Sequence, residues 1–195
     1  MSGYHAGMPT TDRLPFTGDD EADRLLVEEP LALLIGFELD QQVTVQKAFS
    51  GPAELKRRVG HLDAARIAAM DAEELAAVFR KPPALHRFPA AMAARVQELC
   101  RAITTTYGGD ARRIWTEAAD GRDLQARLLA LPGIGDMKAR ALLSILANRF
   151  GVRPPGIEAV LPTHPTLGDV DSPESLAAYQ AGKRAKKAAM RAAKG

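Results

Sequence analysis

Apolar residues recur along this chain at intervals of three and four, and the intervals are broken by prolines, glycines and capping residues, so nearly every periodic segment is predicted to be helical. The most apolar run, Pro30-Leu31-Ala32-Leu33-Leu34-Ile35-Gly36-Phe37, falls within residues 25–42 and is predicted as a helix buried on most sides at the centre of the domain. Residues 43–49 continue helically until Ser50-Gly51-Pro52, which is expected to interrupt the chain and open a new helix over 53–59. Asp63 and Asp71 have the spacing of N-caps, the second in a box with Glu74, for two short helices. Pro89 opens a longer helix with Met92, Val96, Leu99, Cys100 and Ile103 on one face, closed by Gly108-Gly109.

Late in the chain stands Leu131-Pro132-Gly133-Ile134-Gly135, between predicted helices at 124–129 and 136–150. This describes a glycine hairpin between two helices. Gly133 and Gly135 carry no side chain, so a sugar-phosphate backbone can approach their amides, and those amides lie at the positive end of the second helix. The expected ligand is DNA. Beyond Gly151 the prolines of 153–165 prevent regular structure, and a last helix is expected to begin near Asp171-Ser172-Pro173-Glu174. The organisation read from these signals is an arm (1–19), a helical domain (20–152) containing the hairpin unit (124–150), and a Pro-rich connection, last helix and basic tail (153–195).

Composition narrows the function class. At 195 residues and 46% hydrophobic content the chain suits one domain or two small subdomains sharing a core. No apolar stretch approaches the roughly 20 residues that span a bilayer, and the N-terminus lacks signal-peptide features, so a cytoplasmic, membrane-free protein is expected. One cysteine excludes an internal disulfide and a four-cysteine iron–sulfur cluster, the histidines lack zinc-site spacing, and no Walker or Gly-x-Ser-x-Gly motif occurs. The net charge of +2 hides an acidic early segment and a basic end containing Lys183, Arg184, Lys186 and Lys187. The residues leave open whether that end neutralises phosphates or is a solvated tail.

With this hairpin late in an all-helical chain, the sequence resembles the helix-hairpin-helix (HhH-GPD) DNA glycosylase superfamily over roughly residues 20–151. A second match is Leu33-Leu34-Ile35-Gly36-Phe37-Glu38-Leu39-Asp40-Gln41-Gln42, which looks like the family's buried helix ending in a glutamine that fills the gap left by a displaced base. The resemblance implies an all-α fold of two helical subdomains around a cleft, a monomer, and a partner of double-stranded DNA with a damaged or mismatched base rotated out of the stack. It implies phosphate or backbone contacts at Gly133, Ile134, Gly135, Lys138 and Arg140, gap filling by Gln42 with Gln41 beside it, and a monovalent cation on the carbonyls of Leu129, Leu131 and Ile134, no other cofactor being required.

Two departures shape the expected chemistry. Where strand-cutting relatives carry a lysine nucleophile stands Met137; Lys138 is one position later, about 100 degrees around the helix, and is read as a phosphate contact. The family's catalytic aspartate is absent at its usual spacing, and Asp169, Asp171 and Glu158, in that order, are the substitutes. The expected activity is that of a monofunctional glycosylase in base excision repair. The alternative is a non-catalytic DNA-binding or damage-recognition protein on the same scaffold. His86, Phe88, Tyr107 and Trp115 are candidates either for a base pocket or for packing.

Overall fold

The computed structural model describes residues 10–192, except for the side chain of Lys187. The described residues form ten α-helices and two short 3₁₀ turns, with no strand among them: α1 (Asp20–Glu28), α2 (Pro30–Leu39), α3 (Val45–Val59), α4 (Ala64–Ala69), α5 (Ala72–Arg80), α6 (Pro89–Tyr107), α7 (Arg113–Thr116), α8 (Gly121–Leu129), α9 (Asp136–Arg149), the turns Ile157–Ala159 and Leu167–Asp169, and α10 (Pro173–Ala192).

Helices α1, α3 and α6 pack against α2, in which every residue from Leu31 to Leu39 is buried, and α4 and α5 pack in turn on α6. Pro30 starts this helix at its first turn, where its missing N–H costs nothing. Asp63 and Asp71 cap α4 and α5 through side-chain bonds to Arg66, and to Glu73 and Glu74. Buried Gln97 on α6 donates to the carbonyl of Met70 (2.7 Å), satisfying the frayed end of α4. Cys100 is fully buried, and desolvation pushes its thiol up to about 12, leaving it inert at neutral pH.

The structure corrects one boundary. Pro52 does not interrupt the chain; α3 runs from Val45 through Pro52 to Gly60, whose left-handed backbone (φ 84°) ends it. Gly51 and Pro52 are buried, and packing against Leu39 holds this segment helical despite the lost amide.

Close approach of α2 and α3 depends on Gly36. A Cβ there would lie 2.4 Å from Cδ1 of Phe49, a fully buried ring packed edge-on to Phe16 and Phe37 at centroid distances of 5.1 Å. Gly36→Ala is therefore expected to destabilise the protein by about 2 kcal/mol. Urea unfolding checks this, and unchanged stability would contradict the packing.

The hairpin helices α8 and α9 form a second group with the two 3₁₀ turns and the start of α10. Gly168 lies so close to α9 that a Cβ would come within 2.3 Å of Cβ of Ser144. Helix α10 also reaches back to α3, where Gln46 and Gln180 exchange side-chain hydrogen bonds of 3.3 and 2.9 Å. Its exposed second half carries the basic residues.

Candidate nucleic-acid interface

The turn between α8 and α9 is built by burying its apolar residues and exposing its glycines. Leu131 and Ile134 are each 4% exposed and anchor the turn in the core, whereas Gly133 and Gly135 face solvent. Gly133 adopts a left-handed backbone (φ 75°), which a Cβ would strain. Neither glycine amide donates to another backbone group, and Gly135 caps α9 with no side chain of its own. Two bare donors thus sit at the positive end of a fourteen-residue helix. Ile134, expected among the contacts, is corrected: its amide is spent on the carbonyl of Leu131 (3.2 Å) and its side chain is buried.

Behind the turn lies a buried carboxylate. Glu38, at the end of the apolar helix α2, is 0% exposed, and neither of its oxygens has a hydrogen-bond partner. Its Oε2 occupies the space of a Gly133 Cβ, 1.8 Å from that point. Arg95 Nη1 approaches Oε1 to 3.8 Å. Lys138 Nζ is also buried without a hydrogen-bond partner, which corrects its reading as a phosphate contact. The helical turn that leaves Met137 77% exposed carries Lys138 inward, towards Glu38 and Asp40. Burial raises Glu38, against the lowering fields of Lys138 and Arg95, and burial lowers Lys138, against the raising fields of Glu38 and Asp40. Arg140 remains exposed and pairs with Asp136 at 3.0 Å.

From Glu38 the chain passes to the strap Asp40-Gln41-Gln42. Gln42 is exposed and holds a left-handed backbone (φ 56°), unique among the described non-glycine residues. The strap is tied down by His86, 1% exposed, whose Nε2–H donates to the Gln41 carbonyl (3.0 Å) while Nδ1 accepts from the Phe88 amide (3.0 Å). Burial lowers the His86 pKa, keeping it neutral in that tautomer. His86 is therefore a bracket; Tyr107 and Trp115, both 6% exposed, are core; Phe88 stays 42% exposed, with Arg87 over its ring at 4.8 Å.

Residues 35–190 match the family model described as HhH-GPD superfamily base excision DNA repair protein. The protein belongs to the HhH-GPD superfamily. Its all-α fold carries the helix-hairpin-helix of that superfamily, its process is base excision DNA repair, and it binds DNA. No curated protein matches the chain at a significant level.

In this HhH-GPD protein the three carboxylates singled out after the hairpin are held towards the close of α9 and the start of α8. Asp169 accepts from the Thr166 amide (2.7 Å) and hydroxyl (3.3 Å) in a capping box, and from Asn148 (3.4 Å). Asn148 is ten residues along α9 from Lys138, about 15 Å by helical rise. Asp171 lines a cleft with Thr11, Arg13 and Arg149, the last residue of α9. Glu158 is exposed, pairs with Arg153 (3.5 Å), and sits on the turn packed against Gly121 at the start of α8. Asp40, by contrast, is half-buried at the start of the strap, and Lys183, Lys138 and Tyr179 face it. Burial raises its pKa, against the lowering fields of Lys183 and then Lys138.

Sequence reasoning passed over Glu38 and Asp40. The signal for Glu38 was legible, since a lone charge in an otherwise apolar helix is expensive unless it serves something, and Asp40 follows it by two residues. The basic end is also resolved as helix, with Lys183, Arg184 and Lys186 exposed on α10 and Lys183 over the Tyr179 ring at 5.4 Å. Lys187 belongs to α10, but its side chain lies outside the described residues.

Proposed function

We propose that the protein is a monofunctional DNA glycosylase, hydrolysing the N-glycosidic bond of a damaged or mismatched base in duplex DNA. One observation carries this reading: two hairpin amides with no internal acceptor lie on an exposed turn whose first glycine packs on the buried carboxylate of Glu38, four residues before the left-handed Gln42. Buried ionisable groups of opposite sign beside a ligand grip are the kind of arrangement that a chemical site uses.

In this reading the amides of Gly133 and Gly135 take a phosphate, Gln42 fills the gap in the stack, and Gln41 fixes the strap. Lys183, Arg184 and Lys186, with Lys187 on the same helix, neutralise neighbouring phosphates. The carbonyls of Leu129, Leu131 and Ile134 suit a monovalent cation: they are neutral oxygen donors, and those of Leu129 and Ile134 accept no backbone bond within the turn. A lysine adduct is disfavoured because Met137 occupies the exposed position and the Lys138 amine is enclosed.

The test uses duplexes each carrying one uracil, 8-oxoguanine, 3-methyladenine or G·T mismatch. The expected result is strand breakage at one lesion only after alkali, with no borohydride-trapped adduct. Intact strands on every duplex would overturn the enzyme reading and leave the DNA-binding alternative. A Lys183→Gln, Arg184→Gln, Lys186→Gln triple variant is expected to reduce the slope of log affinity against log salt by about 2 to 3. An unchanged slope would remove α10 from the interface.

A further inference from the structure

The hairpin unit has two ends, and its carboxylates are divided between them. Asp169, Asp171 and Glu158 are held at the end formed by the close of α9 and the start of α8, where Asn148, Arg149 and Gly121 meet them. Glu38 stands at the other end, under the glycine turn that carries the free amides, and Asp40 follows it by two residues, facing Lys138 on the first turn of α9. Glu38 is sealed and cannot reach a ligand. Asp40 is half-buried, closes α2, and immediately precedes the left-handed Gln42.

We infer that Asp40 is the catalytic carboxylate of the proposed glycosylase, facing the sugar whose phosphate is held by the hairpin, and that Lys138 is its positioning residue. The inference rests on the glycosylase reading above. The C1′–N bond breaks with its electron pair leaving on the base, which takes a proton from solvent; the Asp40 carboxylate stabilises the cationic sugar. A water then adds its oxygen to C1′ and gives its proton to Asp40, which returns it to solvent and leaves an abasic site. Lys138, whose buried ammonium has no hydrogen-bond partner, faces both Glu38 and Asp40, and with Lys183 it favours the ionised form of Asp40 against its burial. Lys183 and Tyr179 of α10 complete its surroundings, and Tyr179 also feels the weaker field of Asp169, which remains bound to Thr166 and Asn148.

A probe that does not require the target base to be known is a duplex with a pyrrolidine abasic analogue, a cationic mimic of the developing sugar, compared with a neutral tetrahydrofuran analogue. The native protein is expected to prefer the pyrrolidine duplex by about tenfold or more, through attraction to a nearby carboxylate. Asp40→Asn is expected to abolish the preference while keeping affinity for the tetrahydrofuran duplex. Asp169→Asn, Asp171→Asn and Glu158→Gln are expected to retain it. Retained preference in Asp40→Asn, or its loss in one of those three instead, overturns the assignment to Asp40 alone. No preference in the native protein overturns the glycosylase reading with it. Glu38→Gln frees Lys138 for Asp40 and is expected to move the acid limb of the preference to lower pH. Lys138, Arg95 and Glu98 face Glu38, while Lys138, Lys183 and Tyr179 face Asp40. An unmoved limb overturns positioning through Lys138.

Discussion

Gly133→Ala is expected to be among the most damaging single-methyl additions in this protein, lowering both stability and DNA affinity. Two independent penalties coincide. The backbone at φ 75° is strained for any residue with a Cβ, at about 1 kcal/mol. The added carbon would also lie 1.8 Å from Oε2 and 2.4 Å from Cδ of Glu38, a carboxylate enclosed on all sides. The turn, the carboxylate or both must move, and together the penalties amount to about 2 to 4 kcal/mol. Urea unfolding measures the first effect and titration of a labelled duplex the second. Gly135→Ala is the control, because nothing lies within 4 Å of a Cβ there and its φ is −88°. It is expected to retain near-native stability and lose DNA affinity, since its methyl group would intrude where a phosphate approaches. A Gly133→Ala variant as stable as the native protein would show that Glu38 does not lie under the turn.

Lys138→Met is expected to cost about 3 kcal/mol at neutral pH, because it leaves Glu38 as a buried charge with only the half-exposed Arg95 nearby. The loss should depend on pH in a definite direction. Burial sets the folded Glu38 pKa above its ordinary 4.5, so its favourable contribution is fully present below that value and is lost as pH rises through the folded value. Removing Lys138 raises the folded value further, so the gap between variant and native protein should narrow as pH falls towards 4.5. Lys138 behaves oppositely: its folded pKa lies below its ordinary 10.5, so its contribution is present above 10.5 and is lost as pH falls through the folded value. Glu38→Gln added to Lys138→Met is expected to recover most of the lost stability, a strongly non-additive pair. Unfolding curves at acid and neutral pH for both variants provide the measurement. Additive, pH-independent effects would contradict the internal charge arrangement.

Much of the interface was legible because its signals are local. Leu131-Pro132-Gly133-Ile134-Gly135 dictates a turn with apolar anchors inside and glycines outside wherever it is placed. Asp63 and Asp71 cap through bonds that span two or three residues, so their spacing sufficed. Pro52 misled because the cost of a proline within a helix is a local quantity, whereas the burial of Gly51 and Pro52 against α2 that outweighs it comes from elsewhere in the chain. Lys138 misled for a related reason. Its sequence position predicts the angle at which it leaves α9, but not that the angle points towards α2.

The sequence by itself determined the helical class, the glycine turn and the family, since helix periodicity and turn chemistry depend on neighbours a few residues apart. Tertiary structure alone decided which carboxylates share an end of the hairpin unit with the free amides. Glu38 lies 95 residues before Gly133 in sequence, and only the packing of two distant helices brings them into contact. Asp169, much nearer Gly133 along the chain, is carried to the far end because α9 is a rigid rod about 21 Å long.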